Sequence, residues 1–234
     1  SKLIGVNSLK SYLKILYLKS LIRYSDMVMC ISSDINNVVG KISKVKCSLV
    51  FHPIDDCKHP LNSFPQSPRL LFIGSLDKRK NVEELLEALH EVNNYDWQLD
   101  IVGDGPSKCS LIEISENTGI SNRIHWHGYQ ALPFDIRKKY SALVLTSISE
   151  GFPMVVMQSL MRGIPVICPR RLSIYEDAII DGFNGYGYGD EVDTLPNVIL
   201  EVFRKADTLD SNEIRETTEK TFGNSSYKKR FNEA

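Results

Sequence analysis

The sequence predicts an α/β protein: a Rossmann-like, doubly wound parallel sheet preceded by a partial α/β segment. Three observations carry this. Short segments that are apolar nearly throughout recur along the chain, stretches of helical period separate them, and glycine-bearing turns follow three of the apolar segments. Strands without hydrophobic–polar alternation are buried on both faces, which calls for helices on both sides of a parallel sheet. Short connections and right-handed crossovers then give the doubly wound arrangement.

Near the start, SLKSYLKILYLKSLIRYSD (8–26) reads as a basic helix and MVMCIS (27–32) as a strand. SDINNVVGKI (33–42) reads as a short helix with Ser33 or Asp34 as its N-cap, and SLVF (48–51) as another strand. The polar, proline-punctuated stretch DDCKHPLNSFPQSP (55–68) suits a linker. Five strands follow: RLLFIG (69–74), WQLDIVG (97–103), RIHWHG (123–128), ALVLTS (142–147) and PVICP (165–169). Between them lie helices over 81–92, 107–119, 134–141 and 153–163, with NVILEVFRKA (197–206) as a late helix. The expected organisation is residues 1–55 as the end of a preceding α/β domain, 56–68 as linker, 69–206 as the main domain and 207–234 as a helical tail.

At 234 residues, with 42% hydrophobic and 24% charged residues, the chain suits a soluble globular protein of one large or two small domains. A formal net charge of -1 gives no whole-chain reason to expect a nucleic-acid partner. Five cysteines without a CxxC spacing point to reduced thiols and away from a metal site. No apolar run approaches the roughly 18 residues that suggest a membrane span.

Three turns at the ends of strands carry the chemistry: GSLDKRKN (74–81), GDGP (103–106) and EGFP (150–153). In an open α/β sheet, ligands bind outside the carboxyl ends of the strands. Gly74, Gly103, Gly105 and Gly151 let backbone approach a phosphate, and a helix N-terminus adds unpaired N–H groups. Lys78, Arg79 and Lys80 put three cations on the first turn. Together these describe a diphosphate cradle. Plain structural readings stand beside this one: a solvated charge run for 78–80, and a tight strand-to-helix turn for GDGP.

In order, GSLDKRKNVEELLEAL, LDIVGDGP, IHWHGY, SISEGFPMVVMQSLMRGIPVI and IIDGFNG resemble the C-terminal half of retaining glycosyltransferases of family 4, which have the GT-B fold. MVMCISSDINNVVG and VFHPID resemble the junction with that family's N-terminal domain. The resemblance implies a nucleotide-sugar donor, held by this part of the chain, and a glycan or lipid-linked acceptor, held mainly by a preceding domain. It also implies no dedicated metal and no other cofactor. By the same resemblance, residues 1–234 bind donor but do not transfer sugar alone.

Residue by residue, Glu150 matches the family's first acid, near the donor sugar, and Lys80 its phosphate-binding lysine. Gly151, Phe152, Pro153 and Met154 match the loop whose amides face sugar and diphosphate. His127, Gly128 and Tyr129 match the turn that borders the base, with His127 itself expected to be structural. Two positions depart from the pattern. Gln158 stands where a second acid normally binds both ribose hydroxyls, and an amide offers one acceptor and one donor instead. Ser75 stands where an arginine is usual, leaving Arg79 as the candidate replacement cation. Glu176 falls where many members carry an acid near the sugar. Two alternatives stay open: a nucleotide-sugar epimerase on the same fold, and a non-catalytic donor-binding subunit, which Gln158 and Ser75 suggest. Members building bacterial surface polysaccharides suggest a cytoplasmic protein, with peripheral contact at the inner face of the membrane. Lys10, Lys14, Lys19 and Arg23 of the first helix would supply that contact.

Overall fold

A computed structural model describes residues 9–42, 44–54, 64–131, 140–205 and 208–233. The apolar runs form strands β1 (Met27–Cys30), β2 (Lys46–Leu49), β3 (Arg69–Ile73), β4 (Gln98–Val102), β5 (Ile124–Gly128), β6 (Ala142–Val144), β7 (Val166–Pro169) and β8 (Gly185–Tyr188). The helices are α1 (Leu9–Arg23), α2 (Ser33–Ile42), α3 (Val82–Glu91), α4 (Lys108–Asn117), α5 (Met154–Leu160), α6 (Ser173–Ala178), α7 (Leu195–Lys205), α8 (Ser211–Phe222) and α9 (Asn224–Glu233). The helix expected over 134–141 falls almost wholly outside the described residues.

β3 shows why runs without alternation became strands. Leu70 and Phe72 enter one core, with Leu86 and Leu89 of α3 and Val198 and Val202 of α7. Leu71 enters the other, with Val156 and Leu160 of α5 and Ile214 of α8. All three strand residues are fully buried, and each contributes about 1.5–3 kcal/mol of transfer free energy. An apolar side chain on both faces needs a helical layer on both faces.

Six strands form one sheet in the order β5-β4-β3-β6-β7-β8, and every pairing is parallel. The chain runs outward from β3 through β4 to β5, returns to the other side of β3, and runs outward again. The order therefore reverses between β3 and β6. Crossovers on either side leave from opposite faces there, so the loops after these two strands diverge and open a crevice between them. β1 and β2 form a separate parallel pair. The Ser33 amide donates to Asp177 Oδ2 at 3.2 Å, and its hydroxyl donates to Oδ1, tying α2 to α6.

Several elements differ from expectation. β8 escaped notice because its sequence alternates glycine with tyrosine, and glycine weakens a strand signal. Both glycines are required by close packing: a Cβ on Gly185 would lie 2.2 Å from Val166 O, and one on Gly187 2.3 Å from the Tyr175 ring. β2 begins at Lys46, ahead of the expected Ser48. Ser32, not Ser33 or Asp34, occupies the cap of α2, its hydroxyl facing the Ile35 amide at 3.4 Å. α5 stops at Leu160, and the chain turns through Gly163 at φ 68. The basic helix expected near the start is α1; the side chains of Lys10 and Lys14 lie outside the described residues. Among the described residues, no helix is long and apolar enough to cross a membrane.

The turns after β3, β4 and β5 are laced together by backbone. Gly74 N donates to Val102 O at 3.1 Å, Leu76 N to Asp104 O at 2.9 Å, and Gly103 N to Gly128 O at 2.8 Å. A Cβ on Gly103 would sit 1.8 Å from Gly74 O, whereas one on Gly119 (φ 72) meets nothing within 4 Å. Gly119→Ala should therefore cost only the left-handed backbone term, about 1–2 kcal/mol. Gly103→Ala should cost clearly more, because the β3 turn must move as well. Urea unfolding of both variants checks this; equal losses would mean that the lacing does not constrain the turns.

Candidate functional site

The turn after β3 is built by one carboxylate. Asp77 Oδ1 accepts from the amides of Arg79 (2.9 Å) and Lys80 (3.1 Å), and its Oδ2 accepts from the Ser75 hydroxyl (2.6 Å). The Ser75 hydrogen bond, followed by those amides, holds the Asp77 carboxyl below its usual range. Ser75 thus shapes the turn. Asn81 then leads into α3 in a left-handed conformation, φ 50 and ψ 46, which asparagine tolerates better than most residues.

The segment after β6 grips that turn from the other side of the crevice. The hydroxyl of buried Thr146 donates to Lys80 O at 2.8 Å, and Ile148 N donates to Arg79 O at 2.8 Å. With its backbone pinned on both sides, Lys80 reaches Glu150: Nζ to Oε1 is 2.6 Å. Arg79 approaches the other oxygen, Oε2, at 3.1 Å and donates to Ser149 O. Ser147 Oγ donates to Glu150 Oε1 at 2.7 Å, and Arg171 donates to Ser147 O at 3.1 Å.

Burial separates the two ion pairs. The Lys80 and Glu150 side chains are 12% and 11% exposed, whereas Arg79 is 46% exposed. Exposed pairs contribute about 0–1 kcal/mol, so Arg79 is the weaker partner. Breaking the Lys80 pair strands a charge away from water and costs more. Burial pushes the Glu150 carboxyl up, but hydrogen bonds from Lys80 and Ser147 and the charge of Lys80 and Arg79 outweigh it. The net effect holds Glu150 below its ordinary value. Arg79 and Lys80 meet Glu150 across the crevice, which is an ionised site.

The other expected residues sort by distance from this cluster. Gly74 lies against the Lys80 side chain, and a Cβ there would meet it at 3.4 Å. Gly151 is exposed, Phe152 half-buried, Pro153 buried at the start of α5, and Met154 half-buried as its first residue. Gln158 is half-buried on α5, with Met154 one turn before it. Gly103 and Gly105 are accounted for by packing: a Cβ on Gly105 would come 2.5 Å from Leu76 O. His127 sits where β5 carries an extra residue against β4, and its Nε2 meets Oδ1 of fully buried Asp100 at 2.7 Å. Asp100 also pairs with Arg69 at 3.0 Å. Gly128 (φ 65) turns the chain there, and Tyr129 projects into solvent at 80% exposure. Glu176 is exposed and lines a shallow hollow with Thr217, Thr221 and Phe222. Among the described residues, no group of three or more His, Cys, Asp or Glu is placed to hold a metal ion.

Asp77, Thr146, Ser147 and Arg171 were not anticipated. Asp77 carried a signal, since an acid two residues after a serine in a glycine turn often caps the amides that follow. Arg171 carried none, because only the strand order brings it to Ser147.

Residues 54–220 match the family described as glycosyl transferases group 1. The chain belongs to that family. Lipopolysaccharide 1,6-galactosyltransferase of Salmonella typhimurium is 33% identical over 178 residues, covering 71% of this chain and 49% of that protein. The chain spans about half the length of the curated relatives it matches. Among solved structures, the apo form of the lipopolysaccharide outer core galactosyltransferase WaaB superposes with a TM-score of 0.79 at 28% identity, over 89% of this chain and 61% of that one. Anabaena HepE in complex with UDP-glucose shares the fold, with a TM-score of 0.77 at 15% identity over 100% of this chain and 69% of that one.

In this group 1 chain, the Glu150 cluster has a pH signature. A carboxyl held low in the folded state stabilises the fold above its ordinary value of 4.5 and loses that contribution as pH falls through the folded value. The stability difference between wild type and Glu150→Gln should be level from about pH 6 to 8 and shrink below about pH 4.5. Urea titrations across that range measure it; a difference that grows on acidification contradicts the ion-pair assignment.

Proposed function

We propose that the chain binds the donor in a retaining glycosyltransferase. The whole protein would move a hexose or N-acetylhexosamine from UDP to a glycan or lipid-linked acceptor, in assembly of a bacterial surface polysaccharide such as lipopolysaccharide. The family and its galactosyltransferase relatives support this, and a nucleotide-sugar donor places the work in the cytoplasm. One observation carries it: Lys80 and Arg79 converge on Glu150 where the strand order reverses.

Each residue has a task there. Lys80 and Arg79 neutralise the diphosphate as it gathers charge on departure, from positions already set by Asp77 and Thr146, so little reorganisation is needed. Glu150, kept ionised, accepts hydrogen bonds from sugar hydroxyls. The 151–154 amides stand beside the diphosphate. Gln158 reads the ribose with one accepting and one donating atom, which makes for weaker bonds than a carboxylate's. His127 is held by Asp100 as a support for the 128–129 turn at the base. The acceptor brings its own hydroxyl to the crevice, held mainly outside the donor-binding domain.

Lys80→Ala tests the reading. A compact cation acts on phosphates and not on the nucleoside. Calorimetric titration should show UDP weakened about tenfold or more, matching a charged hydrogen bond of roughly 1.5–3 kcal/mol, with uridine nearly unchanged. Equal losses for UDP and uridine would remove Lys80 from the diphosphate.

A further inference from the structure

The loop carrying Glu150 is gripped from the crevice side by Lys80 and Arg79. Behind it lies an aromatic contact that joins three distant parts of the chain. The Phe152 ring stacks on Phe51 with centroids 5.7 Å apart and planes at 25°. Phe51 meets the edge of Phe222, at the end of α8, at 5.0 Å and 61°. The Arg230 guanidinium of α9 lies 4.8 Å over the same Phe51 ring.

Phe51 is 8% exposed and sits where the N-terminal segment crosses to the main sheet. Just before it, Val50 N donates to Cys30 O at 2.8 Å, extending the β1–β2 pairing. Just after it, Ile54 bridges Gly223. The backbone is thus tied on both sides of the ring. Between Glu150, held by Lys80 and Ser147, and buried Pro153, Gly151 is exposed, with nothing within 4 Å of where a Cβ would lie. Phe152 packs into the core between the two.

We infer that Phe51 is a positioning residue: clamped by Phe222 and Arg230, its ring holds Phe152 and so sets where Glu150 and the 151–154 amides meet the sugar end of the donor. The functional half of this rests on the donor-binding reading above. The diphosphate end is held also from the opposite side by Lys80, whose backbone is pinned by Asp77 and Thr146, residues outside the Phe51 contact. The sugar end therefore depends on Phe51 more than the diphosphate end does. A shift of the N-terminal segment, or of α9, moves the sugar contacts more than it moves Lys80.

Two readouts separate this from a role in stability alone. The first needs no ligand. Hydrogen exchange of Phe51→Ala, measured well below its unfolding transition, should speed up at the 151–154 amides that exchange and stay unchanged over 74–81. The second is the ratio of affinities for UDP-hexoses and UDP, by calorimetry with UDP-glucose and UDP-galactose. Phe51→Ala should lose about three- to tenfold for the sugar nucleotide it binds best, the size of one aromatic pair, and clearly less for UDP, which Lys80 still holds. Phe51→Tyr, which keeps the ring, should restore both readouts. If Phe51→Ala does not fold, Arg230→Met, which removes one side of the clamp from α9, should give the same pattern at smaller size. Unchanged exchange at 151–154, or equal weakening of UDP and UDP-hexose, overturns the inference. Failure of Lys80→Ala to weaken UDP strikes at the donor site itself, and the exchange readout then still decides whether Phe51 positions the loop.

Discussion

The carboxylate of Glu150 is the point on which the two sides of the crevice depend. Parallel strands must be joined by crossovers, so β3 and β6 lie side by side without sharing a loop. Their turns would splay apart if nothing joined them. A largely buried acid on one turn and two cations on the other supply that junction, and the Lys80 pair is the stronger because water is largely excluded. Thr146 and Ile148 add neutral hydrogen bonds between the same segments. One arrangement thus serves both fold and chemistry: cations pinned by backbone contacts are already aimed at the crevice.

The turns after β4 and β5 act one step back. Their glycines allow backbone-on-backbone packing at separations no side chain would permit, and that packing fixes the β3 turn from behind. Asp100 does the same for β5 through His127, with a buried charge balanced by Arg69. These residues shape the site without facing it.

Much of this was legible in the residues, for reasons that differ by element. β3 and β6 announced themselves because strands buried on both faces are apolar throughout. β8 did not, because its two glycines answer to Val166 and Tyr175, neighbours that sequence does not reveal. In the site, Lys80 and Glu150 stood out by charge beside glycine turns. Ser75, read as a lost cation, instead braces Asp77. The diphosphate cradle was traced to all three glycine turns, yet the close approach at Gly103 and Gly105 is to other backbone. Thr146 and Ser147 looked like the polar end of any strand, and Phe51 is joined to Phe152 only by tertiary packing. Residue type marked the groups that carry chemistry; the groups that hold them in place were set by topology.

A crystal structure of the chain with UDP bound is the most direct measurement. The account predicts a β-phosphate oxygen within about 3 Å of Lys80 Nζ, between the carboxyl ends of β3 and β6. It also predicts the ribose beside α5 and the base near the 127–129 turn. Density for UDP elsewhere, as in the hollow between α6 and α8, with the Lys80–Glu150 crevice untouched, would contradict it.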